Sequence, residues 1–171
     1  YHESTFHPRK GIEFLYEGFI KAFSDTEHVD RFLLVCKDNP LNKVTFDRIE
    51  KLKRDAIKLQ STYKNPANII KISQRLEWHQ LQALWARADA YVSFAKMEGF
   101  GIPLLRMVQQ GKQILTLDAP CNGYLDFLNK NNSTLIPTTM TLATEEHMNL
   151  YTDETMWATP SMDDVIEGFR T

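Results

Sequence analysis

The chain alternates regularly, and this constrains its fold more than any single residue does. Short apolar runs of strand length come between longer segments whose apolar residues recur at helical spacing. The runs are RFLLVCKD (31–38), NIIKIS (68–73), AYVSFA (90–95), KQILTLD (112–118) and STLIPT (133–138). Between them, GIEFLYEGFIKAFS (11–24) sets Ile12, Leu15, Phe19, Ile20 and Phe23 on one helical face. Residues 44–61 do the same with Ile49, Leu52, Ala56 and Leu59, and EWHQLQALWARAD (77–89) with Leu81, Leu84, Trp85 and Ala88. Further helices are expected over 102–110, stopped by Gly111, over GYLDFLNK (123–130), and after Pro160. Trp78, Trp85 and the phenylalanines at helical spacing are expected in the core.

Short strands that are apolar along their whole length are strands covered on both faces. Their alternation with helices predicts an α/β fold, a doubly wound parallel sheet with helices on both sides. The length of 171 residues suits one domain over 1–171. Such a sheet should start with a strand, but the chain opens on a polar stretch, YHESTFHPRKG, read as a loop. The expectation is that the first strand precedes Tyr1 in a longer parent or is only a stub here. The tail from Leu142 reads as mixed structure.

Composition narrows the function classes. A net charge of -2 leaves no polyanion footprint, so nucleic acid is not an expected partner. The basic cluster from Lys51 to Lys58 falls on a helix and reads as a solvated face. Cys36 and Cys121 form no C-x-x-C pair, which fits a reduced, cytoplasmic chain. No apolar run reaches the roughly 18 residues of a membrane span. His2, Glu3 and His7 fit no zinc spacing. Cys121 has no histidine placed beside it by a motif, and NNST at 131–134 reads as a polar turn.

The chemistry is expected in the loops, because open parallel sheets bind ligands beyond the carboxyl ends of their strands. HPRKG enters the first helix with two adjacent cations, Arg9 and Lys10. KMEGFGIP enters the helix after AYVSFA. There Gly99 and Gly101 permit a tight turn close to a ligand, and Pro103 suits the first helical turn. The N–H groups of that helix start suit an anion, and Glu98 offers a carboxylate for hydroxyl groups. Together these groups match a nucleotide sugar: cations and N–H groups for the diphosphate, an acceptor for the sugar. Asn122 and Gly123, in APCNGY, either approach the same ligand or form a plain turn.

The order RKG, apolar helix, LLVCKD strand, then ADAYVSFAKMEGFGIPLLRMVQQGKQIL resembles the C-terminal domain of GT-B glycosyltransferases, family 4 in particular. It covers about residues 7 to 170. RKG some 90 residues upstream of EGFG is what makes the pattern specific. The resemblance implies a Rossmann-like donor-binding domain of a larger enzyme. That enzyme would transfer a sugar from a nucleotide sugar, such as a GDP- or UDP-sugar, to a glycan, lipid or other acceptor with retention of configuration. It implies no metal or other cofactor in this domain. The acceptor would be held by an N-terminal domain not contained in this chain, so the fragment alone is expected to bind donor without turnover. Peripheral membrane association of the parent stays open.

Carried over by position, the resemblance gives Glu98, Arg9 and Lys10 catalytic roles. Arg9 and Lys10 would stabilise the departing diphosphate, and Glu98 would contact the donor sugar. Gly99, Phe100, Gly101 and Ile102 would line the donor, and Arg75 and Leu76 fall in the loop where the family holds the base. Arg106 stands where the family has a second glutamate that holds the ribose. A guanidinium accepts no hydrogen bond, so Arg106 cannot take up ribose hydroxyls as a carboxylate does. Either Arg106 binds another part of the donor, or the ribose is held differently, or the domain no longer binds a nucleotide sugar. ESTF also replaces the family's Gly-Arg, and RMVQQG its alanine-rich helix. The rival expectations are a non-catalytic domain used for assembly or protein binding, and a nucleotide-sugar epimerase, which the RKG and EGFG pairing disfavours.

Overall fold

The computed structural model of the chain describes residues 1–4, 7–38, 43–143 and 154–171. The elements run β1 (His2–Ser4), α1 (Ile12–Phe23), β2 (Leu33–Asp38), α2 (Lys43–Gln60), β3 (Asn68–Ile72) and α3 (Trp78–Arg87). They continue β4 (Ala90–Ser93), α4 (Ile102–Gln109), β5 (Gln113–Leu117), β6 (Thr134–Ile136), β7 (Thr139–Leu142), β8 (Met156–Thr159) and α5 (Met162–Arg170).

Two parallel ladders, β1-β2-β3 and β4-β5-β6, form the sheet. They meet at β1 and β4. The Tyr1 ammonium donates to Ala90 O at 2.8 Å, and the Val92 N–H donates to Tyr1 O at 2.9 Å. From β1 the chain winds outward to β3, returns to β4 and winds outward to β6. The reversal between β1 and β4 is a topological switch point, where such sheets open a crevice at their carboxyl edge.

Strand residues alternate between two cores, as the pleat requires. Leu34, Cys36, Val92, Leu115 and Leu117 face α1, α2 and α5, with Ile12, Leu15, Phe19, Ile20 and Val165. Val35, Tyr91 and Ile114 face α3 and α4, with Trp85, Leu104 and Met107. The expected doubly wound α/β sheet is therefore present. Helix α5 lies directly on α1, where a Cβ at Gly18 would collide with Val165. Phe169 meets Phe19 and Phe23 edge-on, with ring centroids 5.6 and 6.0 Å apart.

The structure corrects several expectations. The opening YHESTF stretch is not all loop, because His2–Ser4 is a strand between β2 and β4, the stub alternative. Two of its polar side chains find partners inside: His2 Nδ1 donates to Val92 O at 2.7 Å, and Glu3 Oε2 accepts from Trp85 Nε1 at 3.3 Å. Of GYLDFLNK only Gly123–Asp126 turns, as a 3-10 segment. The tail contains an antiparallel ribbon, β7 against β8, and residues 144–153 of that tail lie outside the described residues. Trp85 is core, but Trp78 is 54% exposed at the start of α3.

Candidate functional site

The β1–α1 loop arrives at the crevice first. Pro8–Lys10 forms one 3-10 turn, capped by His7, whose Nδ1 accepts from the Arg9 N–H at 3.3 Å. Gly11 then takes φ 60° and starts α1. No other residue fits there, because a Cβ would collide with the carbonyl oxygen of Phe94 at the end of β4. The Lys96 N–H donates to Arg9 O at 2.6 Å and fixes this turn against the second loop.

That second loop runs from β4 to α4. Gly101, at φ 78°, caps α4, and Pro103 sits in its first turn. Glu98 is held by its backbone at both ends: its N–H donates to Asn122 Oδ1 at 2.6 Å, and its carbonyl accepts from the Gly123 N–H at 3.2 Å. Asn122 is buried and fully used, since its Nδ2 donates to Ala95 O and Tyr124 Oη, both at 2.7 Å. Through these bonds the APCNGY loop positions Glu98. A side chain at Gly123 would collide with Gly99 O, so the two loops touch backbone to backbone.

Three of the sequence-predicted residues converge here. Arg9 Nη1 donates to Met97 O at 2.8 Å and to Glu98 Oε2 at 3.3 Å. Lys10 Nζ donates to the same Oε2. The side chains keep 29% (Arg9), 16% (Lys10) and 19% (Glu98) of their surface, so the cluster is open to the crevice. Burial pushes the Glu98 carboxyl up, but the Lys10 hydrogen bond and the charges of Lys10 and Arg9 outweigh this and hold it below the usual carboxylate range. Lys10 ends below its ordinary range. Burial dominates there, the Glu98 bond opposes it, and Arg9 adds to the depression. The acid is ionised at neutral pH, and its bond and charge work against the loss of the Lys10 proton.

A second ion cluster, not predicted, lies beside the first. Lys96, buried between the rings of Phe14 (5.3 Å) and Trp157 (4.7 Å), donates to Glu13 Oε1 at 2.7 Å. Arg48 lies 3.7 Å from the other Glu13 oxygen. Lys96 stands two residues before EGFG, and only its place at a strand end could have marked it.

The remaining predicted residues are placed as follows. Gly99, Phe100 and Ile102 form the rim; Phe100 is 49% and Ile102 57% exposed. Phe100 packs on Phe127 at 5.4 Å. Arg75 (exposed) and Leu76 (half-buried) lie between β3 and α3 on the same sheet edge. Arg106 lays its guanidinium over the rings of Trp78 (4.9 Å) and Trp85 (5.2 Å), bridging α4 and α3. Cys121 is exposed at the crevice, with its thiol 3.4 Å from Lys96 O.

Solved structures share this architecture. A UDP-forming α,α-trehalose-phosphate synthase from Burkholderia vietnamiensis superposes with a TM-score of 0.72 at 10% identity, over 99% of this chain and 35% of that one. The C-terminal domain of LpcC, a glycosyl transferase group 1 family protein from Francisella tularensis, gives 0.63 at 14% identity, over 80% of this chain and 65% of that one. The pneumococcal O-GlcNAc transferase GtfA, solved with UDP and GlcNAc, gives 0.54 at 14%, over 98% of this chain and 26% of that one. No family model matches the sequence, and no curated protein matches it significantly. The chain has the Rossmann-like fold of GT-B glycosyltransferase domains and spans about a third of the synthase it overlays.

Proposed function

We propose that this chain is the donor-binding domain of a retaining glycosyltransferase of family 4 type. Its parent would transfer a sugar, of hexose type, from a nucleotide sugar to a glycan, lipid or other acceptor in the cytoplasm. The observation that carries this reading is the convergence of Arg9, Lys10 and Glu98, some 90 residues apart in sequence, at the switch-point crevice. Two cations beside the starts of α1 and α4 suit a diphosphate. As the leaving nucleoside diphosphate gains negative charge, Arg9 and Lys10 would stabilise it in place. No metal is needed for that. Gly99, Phe100, Gly101 and Ile102 would border the sugar, and Arg75 and Leu76 would meet the base. The acceptor site would belong to a further domain of the parent, so the domain alone would bind and not turn over. No helix among the described residues is long and apolar enough to cross a membrane.

A second reading, a GT-B-like domain without catalysis, is favoured by one observation. Arg106, at the position of the family's ribose-binding carboxylate, is stacked on Trp78 and Trp85. Calorimetric titration with UDP-, GDP- and dTDP-sugars separates the two. The donor reading expects one nucleotide class to bind, in the presence of a chelator, and expects Arg9→Ala/Lys10→Ala to weaken it at least tenfold. Absence of binding by the folded domain would favour the second reading.

A further inference from the structure

The site cations already carry an anion of the protein's own. Lys10 Nζ and Arg9 Nη1 both end on one oxygen, Glu98 Oε2, while Oε1 takes no hydrogen bond among the described residues. We propose that Glu98 is an internal latch on this anion seat, released only by a ligand that brings both a diphosphate and sugar hydroxyl groups. The proposal rests on the donor-binding reading and extends it to what the site rejects.

Three features of the geometry support the latch. The first is charge. Two cations and one carboxylate leave a single net positive charge, and a diphosphate entering beside Glu98 would put two anions on one pair of cations. Like charges this close exclude one another, so the carboxylate must leave Lys10 when a diphosphate arrives. The second is rigidity. The Glu98 backbone is tied on both sides, to Asn122 Oδ1 and to the Gly123 N–H. Release is therefore a rotation of one side chain and needs no opening of the loop. The third is satisfaction. A partly buried carboxylate that gives up a charged partner needs donors in exchange. Sugar hydroxyl groups on the same ligand supply them. Inorganic pyrophosphate has no such hydroxyl groups, and a nucleoside diphosphate has only those of its ribose, on the nucleoside side of the diphosphate, so both must displace Glu98 without replacing its partners. The latch would thus favour the sugar-bearing donor over the nucleoside diphosphate left after transfer.

The test measures affinities of the wild-type domain and of Glu98→Gln for inorganic pyrophosphate, UDP, GDP, UDP-glucose and GDP-mannose by calorimetry. Glutamine keeps the size and loses the charge. The expected result is at least tenfold tighter binding of pyrophosphate by Glu98→Gln. The preference for the sugar nucleotide over its diphosphate should shrink at least tenfold. Glu13→Gln controls for charge in general, because Glu13 is an acid of the same edge taken up by Lys96. It should shift pyrophosphate affinity less than twofold. Unchanged or weaker pyrophosphate binding by Glu98→Gln, or an equal gain in Glu13→Gln, overturns the latch. So does an unchanged preference in a domain that binds nucleotide sugars well, and that outcome leaves the donor reading standing. If pyrophosphate tightens but no nucleotide sugar binds wild type, the anion latch is supported. The donor reading then fails, and release by hydroxyl groups fails with it.

Discussion

Both α1 and α4 start from a glycine with positive φ, Gly11 at 60° and Gly101 at 78°, yet the two entrances are built differently. The α1 entrance is closed in. Gly11 faces the Phe94 carbonyl, and Arg9 is tied through both its backbone and its guanidinium to residues 96–98. The α4 entrance is open at its rim, where Phe100 and Ile102 are about half exposed and a Cβ at Gly99 would meet nothing, although Gly101 itself packs on Leu104 and Tyr124. A sequence motif weighs the glycines of such loops alike, but the structure does not. One entrance fixes two cations in place, and the other presents a rim at which a ligand can be met.

The comparison breaks most visibly at Gly11. Gly11→Ala combines a strained left-handed backbone with a collision against a main-chain oxygen that cannot move aside. A loss of about 4 kcal/mol in urea unfolding is expected, enough to leave much of the domain unfolded. A smaller effect tests the strand that leads into this entrance. His2 is fully buried, and burial, partly offset by its bond to Val92 O, pushes its pKa down to about 4 from 6.5. Above 6.5 both the folded and the unfolded chain carry it neutral, and its contribution is fully present. Between 6.5 and about 4 the unfolded chain takes the proton first, so stability falls with pH, by about 3 kcal/mol in all. Urea midpoints measured from pH 7.5 to 4 should show this slope in wild type and lose it in His2→Gln; equal slopes would contradict it. The smallest effect belongs to the open entrance. Gly99→Ala meets no atom within 4 Å, and stability should stay within about 0.5 kcal/mol of wild type. A loss as large as that of Gly11→Ala would erase the distinction.

The sequence displayed the sheet's apolar strands and the helices between them because their periods were uninterrupted. Ile12, Leu15 and Ile20 are buried as their spacing required. Strand β1 was hidden because it carries polar residues whose partners include groups on β4 and α3, far along the chain. The β7–β8 ribbon was hidden for a similar reason. Its partner strands are short, and β8 is anchored by the Ala158 N–H on Lys96 O at 3.0 Å. At the site, the motifs pointed to Arg9, Lys10 and Glu98, which the structure brings together. The supports were less visible. Asn122 could be read as a turn residue, and only its burial and three hydrogen bonds show that it holds Glu98. Lys96 could be read as an ordinary cation until Glu13 and two rings were found around it.

The packing of α5 on α1 also gives the chain a history in time. Helix α1 ends at Phe23 and α5 begins at Met162, so the first helix leaves the ribosome about 140 residues ahead of the surface that covers it. At translation rates of about 5–20 residues per second, that is a delay of roughly 7–28 s. Through that interval Phe19 and Phe23 await Phe169, and the notch at Gly18 awaits Val165. The nascent chain would carry this aromatic helix without its α5 cover until residues 162–170 are made, an invitation to chaperones that the folded domain no longer extends.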